Sequence, residues 1–236
     1  MSEGDRASPR AAPPAGALRA RVLTAAVAAP LAVLVVVAPG GLPFILLLVL
    51  VLALGFVEAY RLLPGGALSR AALSILYLGV PLAAFAYLRI APSGDWPAAF
   101  GLEPGARLVL TLLLTTWAGD TAAYFVGRGV GRHKLAPRIS PGKTWEGAIA
   151  NSVASVVVAL GLGHVGQLGV ACGLTIGLAV GVLGQVGDLL ESAIKRRAGV
   201  KDSGALFPGH GGILDRIDSL LLPAPVVALL LPLLGP

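Results

Sequence analysis

Acidic side chains are scarce in this 236-residue chain, and several sit where apolar runs begin or end. Asp120 lies in one run, Asp188 and Glu191 close another, and Asp215 and Asp218 open a third. An ionisable group inside a membrane-spanning helix costs on the order of 2.5–3.5 kcal/mol even on a mild insertion scale, so its default reading is functional. Asp215 and Asp218 are three residues apart and share a helix face. With Asp188 from a neighbouring helix they would form an oxygen-only metal pocket. That suits Mg2+, which takes a few carboxylates and leaves its other positions to water and phosphate oxygens. The competing reading is that both aspartates favour the positive N-terminus of their helix, with Arg216 as salt partner.

The turn Pro208-Gly209-His210-Gly211-Gly212 directly precedes that helix. Glycines such as Gly211 and Gly212 let backbone N–H groups approach a ligand, and a helix N-terminus attracts phosphate. A flexible linker is the plainer alternative. His210 could donate to a phosphate, carry a proton or cap the turn. Lys201 and His210 join the three aspartates as candidate catalytic residues, and Asp202 beside Lys201 as a candidate binding residue. Lys195, Arg196, Arg197 and Lys201 could screen a polyanion or could only set membrane topology. Lys143 stands in Ser140-Pro141-Gly142-Lys143-Thr144-Trp145-Glu146. A P-loop is excluded, because that pattern needs glycine at the position of Pro137 and a strand–loop–helix context. Lys143 remains a phosphate contact at a helix start, which Ser140 or Thr144 would cap and Glu146 would support. A metal, several cations and a phosphate-binding turn call for polyanionic substrates, one of them a lipid entering from the bilayer.

The elements that must position these groups are helices. The chain is 56% hydrophobic and 13% charged, with a mean hydropathy of +0.85. Soluble domains carry roughly 25% charged residues. In lipid every backbone polar group must be satisfied internally, and continuous runs such as Leu42 to Leu54 favour helices over the alternating strands of a barrel. Seven spans are predicted, at about 22–38, 42–57, 71–90, 106–126, 145–162, 168–190 and 213–234. The expected fold is therefore an all-α, polytopic transmembrane bundle. The first two spans are short and joined by Pro39-Gly40-Gly41, as a tight hairpin or a re-entrant pair. Residues 1–21, rich in Ala, Pro and Arg, read as a disordered basic arm, and the first span as a retained helix rather than a cleaved signal. Gly169, Gly173, Gly177 and Gly181 make a small-residue face for packing a helix of this chain or of a second subunit. Pro223 and Pro225 predict a kink.

The net charge is +6. In a polytopic chain this reflects positive-inside loops rather than nucleic-acid binding. With the N-terminus cytoplasmic, all but Arg89 and Arg107 of the 18 Lys and Arg fall on the inner side. The candidate site then faces the cytoplasm. At 1.5 Å rise per residue Asp218 lies about 8 Å from the start of its span, so the acids can converge at headgroup depth. The single Cys172 excludes an intramolecular disulfide.

Ser192-Ala193-Ile194-Lys195-Arg196, Lys201-Asp202-Ser203-Gly204 and the run Phe207 to Asp218 together resemble the signature of phosphatidate cytidylyltransferases, the CDP-diacylglycerol synthases. Asp120 to Gly127, Ser140 to Gly147 and Gly184 to Ser192 resemble the same family, so the likeness covers the C-terminal half. Residues 1–105 resemble it only in hydropathy. The organisation implied is an arm (1–21), N-terminal helices (22–105) and a catalytic membrane region (106–236) with the signature at 192–218. The resemblance implies transfer of the cytidylyl group of CTP to phosphatidate with Mg2+. The implied enzyme is a dimer, with a metal site at Asp188, Asp215 and Asp218, and a K+ beside the Mg2+ is a further family feature. Asp120, Ser140, Lys143, Thr144, Lys195, Arg196, Asp202, Gly211, Gly212 and Arg216 are the expected substrate-binding residues. The serious alternative is a cytidylyltransferase acting on another lipid or isoprenoid phosphate. A cation transporter would carry its acids near the midplane, a scaffold would not need the acid pair and glycine turn together, and the spaced pattern of the CDP-alcohol phosphotransferases is absent.

Overall fold

The structure, a computed structural model, describes residues 15–92, 96–206 and 211–234, with side chains from residue 26 onward. His210, Pro208 and Gly209 therefore lie outside the described residues, as does the predicted arm up to residue 14. Among the described residues, nine α-helices and one hairpin follow in order: α1 (Ala15–Val37), α2 (Leu42–Leu62), α3 (Ala67–Ile90), α4 (Pro104–Gly129), β1 (Lys134–Ala136), β2 (Ser140–Thr144), α5 (Trp145–Val165), α6 (Val170–Leu178), α7 (Gln185–Arg197), α8 (Leu214–Leu221) and α9 (Pro223–Leu234). Six helical stretches among the described residues are long and apolar enough to cross a membrane. Two of these are composite: α6 and α7 form one 28-residue stretch, Val170–Arg197, and α8 and α9 form another, Leu214–Leu234.

All seven predicted runs are helical. The first helix begins at Ala15, inside the stretch read as a disordered arm. The second run reaches Leu62 rather than 57. Its 21 residues span about 30 Å at 1.5 Å each, long enough for a full bilayer core. Its start is local chemistry: Gly41 takes the left-handed φ of 70°, and Pro43 falls in the first turn, where a missing N–H loses no helical bond. The helix assignment breaks at Leu222 and resumes at Pro223, where the prolines predicted an interruption.

Two features were not foreseen. Residues 134–144, read as loop, form the antiparallel pair β1–β2, with Lys134 opposite Thr144. Its base is fastened to α5. Trp145 N donates to His133 O at 2.9 Å, and the Glu146 carboxylate accepts from His133 N and lies 2.7 Å from His133 Nδ1. The second feature is a π-helical turn, Ala179–Gly184, between α6 and α7. A π turn shifts the register of the helix face. Gly173 and Gly177 before it, and Gly181 within it, lie against α5. A Cβ on Gly177 would stand 2.7 Å from Val156 Cα, and one on Gly181 2.8 Å from Ser152 Cα. After it, Gly187 lies against the backbone of α8, where a Cβ would stand 2.5 Å from Asp218 O. The small-residue face thus packs within this chain.

One apolar core, around Leu88, Leu108, Leu112, Ile176 and Val227, joins α3, α4, α6 and α9. A second, around Val51, Leu78, Leu82, Leu214 and Leu221, joins α2, α3 and α8. The two cations outside the charge asymmetry are both buried and bind carbonyls where helices end. Arg89 donates to Val36 O at 3.0 Å and Ala38 O at 2.7 Å, and Arg107 to Gly166 O at 2.6 Å. Lone pairs left over at helix C-termini want such donors.

Candidate active site

A cleft of about 830 Å³ opens between the last turns of α4, the hairpin, and the first turns of α5 and α7. Asp120, Ser140, Lys143, Thr144, Gln185 and Asp188 are among its walls. Lys143 leaves β2 and reaches across to α7, its Nζ 2.6 Å from Asp188 Oδ2. Asp120 Oδ1 accepts from Asn151 Nδ2 of α5 at 3.2 Å. Thr144, rather than Ser140, caps α5 by accepting from Gly147 N at 3.2 Å, while Ser140 pairs with Ala136 in the hairpin. The close α4–α5 approach depends on glycine: a Cβ on Gly147 would stand 2.9 Å from Ala123 O.

A second constellation joins α7 to α8. Lys195 Nζ lies 2.5 Å from Asp215 Oδ1 and 3.0 Å from Glu191 Oε1. Asp215 Oδ2 accepts from Ser203 N, Ser203 Oγ and Gly212 N, each at 2.8 Å. Both oxygens of Asp215 are therefore engaged. Asp218 Oδ1 accepts from Ser219 N at 2.7 Å, and the carboxylates of Asp188 and Glu191 lie within electrostatic reach of it. Glu191 is 1% exposed, and neither of its oxygens has a hydrogen-bond donor in range at good angle among the described residues; its contact with Lys195 is an ion pair only. The buried hydroxyl of Tyr77, on α3, is likewise without a hydrogen-bond partner among them and lies within electrostatic reach of Glu191 and Asp218. Among the described residues no three acidic, His or Cys groups converge as a ready-made metal cage.

The structure brings Asp120, Ser140, Lys143, Thr144 and Asp188 together on one cleft, and places Lys195, Asp215 and Asp218 in the adjoining constellation. Asp215, expected as a metal ligand, is bound in this structure by Lys195, Ser203 and Gly212. The helix N-terminus expected to cradle phosphate is filled from within. Gly212 N donates to Asp215, and Ile213 N and Leu214 N donate to Glu58 at 3.0 Å each. Gly211 supplies the left-handed φ of 79° that this folded-back turn requires. Arg196 points away from the cleft to Ile139 O at 3.2 Å and Val200 O at 2.9 Å, fastening the end of α7 to the hairpin. Lys201, Asp202 and Arg216 are exposed around the loop.

Sequence reasoning missed Glu58, Tyr77, Asn151, Gln185 and the role of Ser203. Gln185 Nε2 donates to Ala148 O at 3.1 Å and lies 3.2 Å from Ser152 Oγ, holding the start of α7 on α5. Glu58 carried a usable signal, an acid flanked by apolar runs. The predicted second span ends at Val57, one residue before it, whereas α2 runs on to Leu62.

A helical bundle fit to cross a membrane, with a cation- and acid-lined cleft at one end, is the class that the fold and site define. The chain belongs to the cytidylyltransferase family: residues 98–234, more than half its length, match that family. It is 44% identical over 127 residues to the phosphatidate cytidylyltransferase of Haemophilus influenzae, covering 51% of this chain and 44% of the relative. With the phosphatidate cytidylyltransferase of Brucella suis it shares 41% over 162 residues, 67% of this chain and 55% of the relative. With the uncharacterized protein YnbB of Escherichia coli it shares 48% over 126 residues, 53% of this chain and 42% of the relative. The chain spans about half the length of the curated relatives it matches. Glu58 and Tyr77 lie outside the family match.

Proposed function

We propose that this chain transfers the cytidylyl group of CTP to phosphatidate, forming CDP-diacylglycerol and pyrophosphate at the cytoplasmic face of the cell membrane. The observation that carries the proposal is the cleft in which Lys143, Asp120 and Asp188 meet, inside the region shared with enzymes named for this reaction. The cytoplasmic orientation is supported by charge. Arg128, Arg132, Lys134, Arg138 and Lys143 surround this end, whereas Arg89 and Arg107 bind carbonyls at helix ends elsewhere. A homodimer rests on the resemblance.

In the reaction a phosphate oxygen of phosphatidate attacks the α-phosphorus of CTP. The bond from that phosphorus to the bridging oxygen breaks, and pyrophosphate leaves. A phosphate monoester has its second pKa near 6 and is largely ionised at neutral pH, so no strong general base is required. The obstacle is repulsion between two polyanions. Lys143 projects into the cleft and, released from Asp188, can meet the triphosphate; Arg128 and Lys134 lie at the same wall. The acids present fit Mg2+: Asp188 and Asp218 are hard oxygen donors within electrostatic reach of one another, and the buried Glu191 oxygens accept no hydrogen bond among the described residues. Asp188 and Asp218 would hold the ion, which supplies charge neutralisation of the phosphates when bound. Asp215 serves by fixing Lys195 and the loop. K+ beside the Mg2+ is part of the reading, and Glu191, whose buried oxygens accept no hydrogen bond among the described residues, would be a donor for it.

The test is incorporation of label from CTP into lipid by the purified protein, omitting phosphatidate, other lipid phosphates and Mg2+ in turn. Product dependent on phosphatidate and Mg2+ is expected. Label transfer that ignores phosphatidate but follows an isoprenoid or other lipid phosphate would replace the assignment.

A further inference from the structure

The carboxylate of Glu58 is buried, 8% exposed, at the inner end of α2 and surrounded by donors from distant parts of the chain. Oε1 accepts from Ile213 N, and Oε2 from Leu214 N, both at 3.0 Å. Ser203 Oγ lies 2.8 Å from Glu58 Oε2 and 2.8 Å from Asp215 Oδ2, so its one hydrogen serves either carboxylate in turn. The backbone is moulded around the group: a Cβ on Gly204 would stand 2.6 Å from Glu58 Oε1, and Gly212 is closer still. The first N–H groups of a helix lack intrahelical partners and carry a partial positive charge. Glu58 thus stands where an anion would otherwise bind, at the head of the helix that carries Asp215 and Asp218.

From this geometry we propose that Glu58 is a positioning residue for the reaction. It caps α8 from outside and buckles the 199–206 segment to it, setting the register of Asp218 against Asp188 and of Asp215 against Lys195. The chain of contacts is continuous: Glu58 to Ser203, Ser203 to Asp215, Asp215 to Lys195, Lys195 to Glu191. The CTP-side cleft, walled by α4, α5, the hairpin and the start of α7, has no wall from α2. Loss of Glu58 therefore disturbs turnover and loop order while leaving that cleft in place. This inference rests on the proposed reaction, but one of its readouts does not.

The experiment compares the full chain in lipid nanodiscs with Glu58→Gln and Glu58→Ala. Charge-assisted hydrogen bonds are about twice as strong as neutral ones, and an amide keeps one acceptor while turning a donor toward N–H groups. Glu58→Gln is expected to lower kcat about tenfold and Glu58→Ala more, with KM for CTP within about threefold of the parent. Trypsin should cut faster at Lys201 in both, in the same order, whether or not substrate is added. Parent-like kcat together with parent-like cleavage in Glu58→Ala would overturn the proposal. So would a loss in which KM for CTP rises as much as kcat falls, since that marks general damage. If Glu58→Ala does not fold, Glu58→Gln alone decides by the same two readouts. A parent protein with no label transfer overturns the reaction, while the cleavage comparison still judges the buckle.

Discussion

Three aspartates that look alike in the sequence occupy different surroundings, and their substitution should separate them. Asp188 lines the cleft and holds Lys143, Asp218 lies within electrostatic reach of Asp188 and Glu191, and Asp215 is engaged by Lys195, Ser203 and Gly212. Asp188→Asn and Asp218→Asn are expected to lower turnover about a hundredfold or more, the scale of removing one stabilising group from a polar active site. Both should also raise the Mg2+ concentration needed for half-maximal rate. Asp215→Asn should lower turnover without moving that Mg2+ midpoint, because its loss frees Lys195 rather than a metal ligand. A Mg2+ titration of the three variants reads the difference, and a raised midpoint in Asp215→Asn would return it to the metal. Lys143→Ala should raise KM for CTP about tenfold, since a cation that meets the triphosphate before and during reaction contributes to uniform binding.

At the scale of elements, the long helix Val170–Arg197 does two jobs, and the π turn separates them. Its first half packs on α5 through Gly173 and Gly177, and its second presents Asp188, Glu191 and Lys195 while Gly187 packs on α8. Gly177→Leu forces a side chain into the backbone of Val156 and should destabilise the bundle by about 1–3 kcal/mol. A lower melting temperature in detergent checks it, and an unchanged one would deny the close α5–α6 approach. At the other end of the bundle, Glu103 ties the α1–α2 turn to α3. Gly40 N donates to it at 2.9 Å and Arg89 Nη1 at 2.5 Å, and these two bonds hold its carboxyl below the usual carboxylate range. A depressed acid stabilises the fold above its unfolded pKa, and that contribution is lost as pH falls through the lowered folded value. Glu103→Gln should therefore flatten the fall in melting temperature between neutral and acid pH, and a parent-like fall would deny the tie.

For the whole molecule, the proposed function requires the cleft end to face the cytoplasm, the side that the positive-inside rule favours for its loop charges. In a Cys172→Ser background, Arg138→Cys should react with a membrane-impermeant maleimide in inverted vesicles and not in intact cells, which labels the hairpin's side directly. The reverse pattern would invert the whole bundle and remove CTP from reach of the site. The two cores show how the two ends are built together: α3 contributes Leu88 to one and Leu78 and Leu82 to the other.

The helical class, the seven runs and the cleft residues Asp120, Lys143, Thr144 and Asp188 were legible in the sequence. Hydropathy over about 20 residues reports burial in lipid directly, and an acid or a Gly-Lys-Thr at a helix end is conspicuous against an apolar background. The hairpin was not legible, because its stability comes from Glu146 and Trp145 gripping His133 rather than from strand propensity. Nor was the π turn, which is a register change set by what packs on either side. Above all, a list of carboxylates does not say which donors each will meet. Tertiary structure decided that Asp215 turns to Lys195, that the helix head expected to take phosphate is closed by Glu58, and that Asp188 meets Lys143, because those partners lie 20, 155 and 45 residues away and only the packing of the helices brings them to hydrogen-bonding distance.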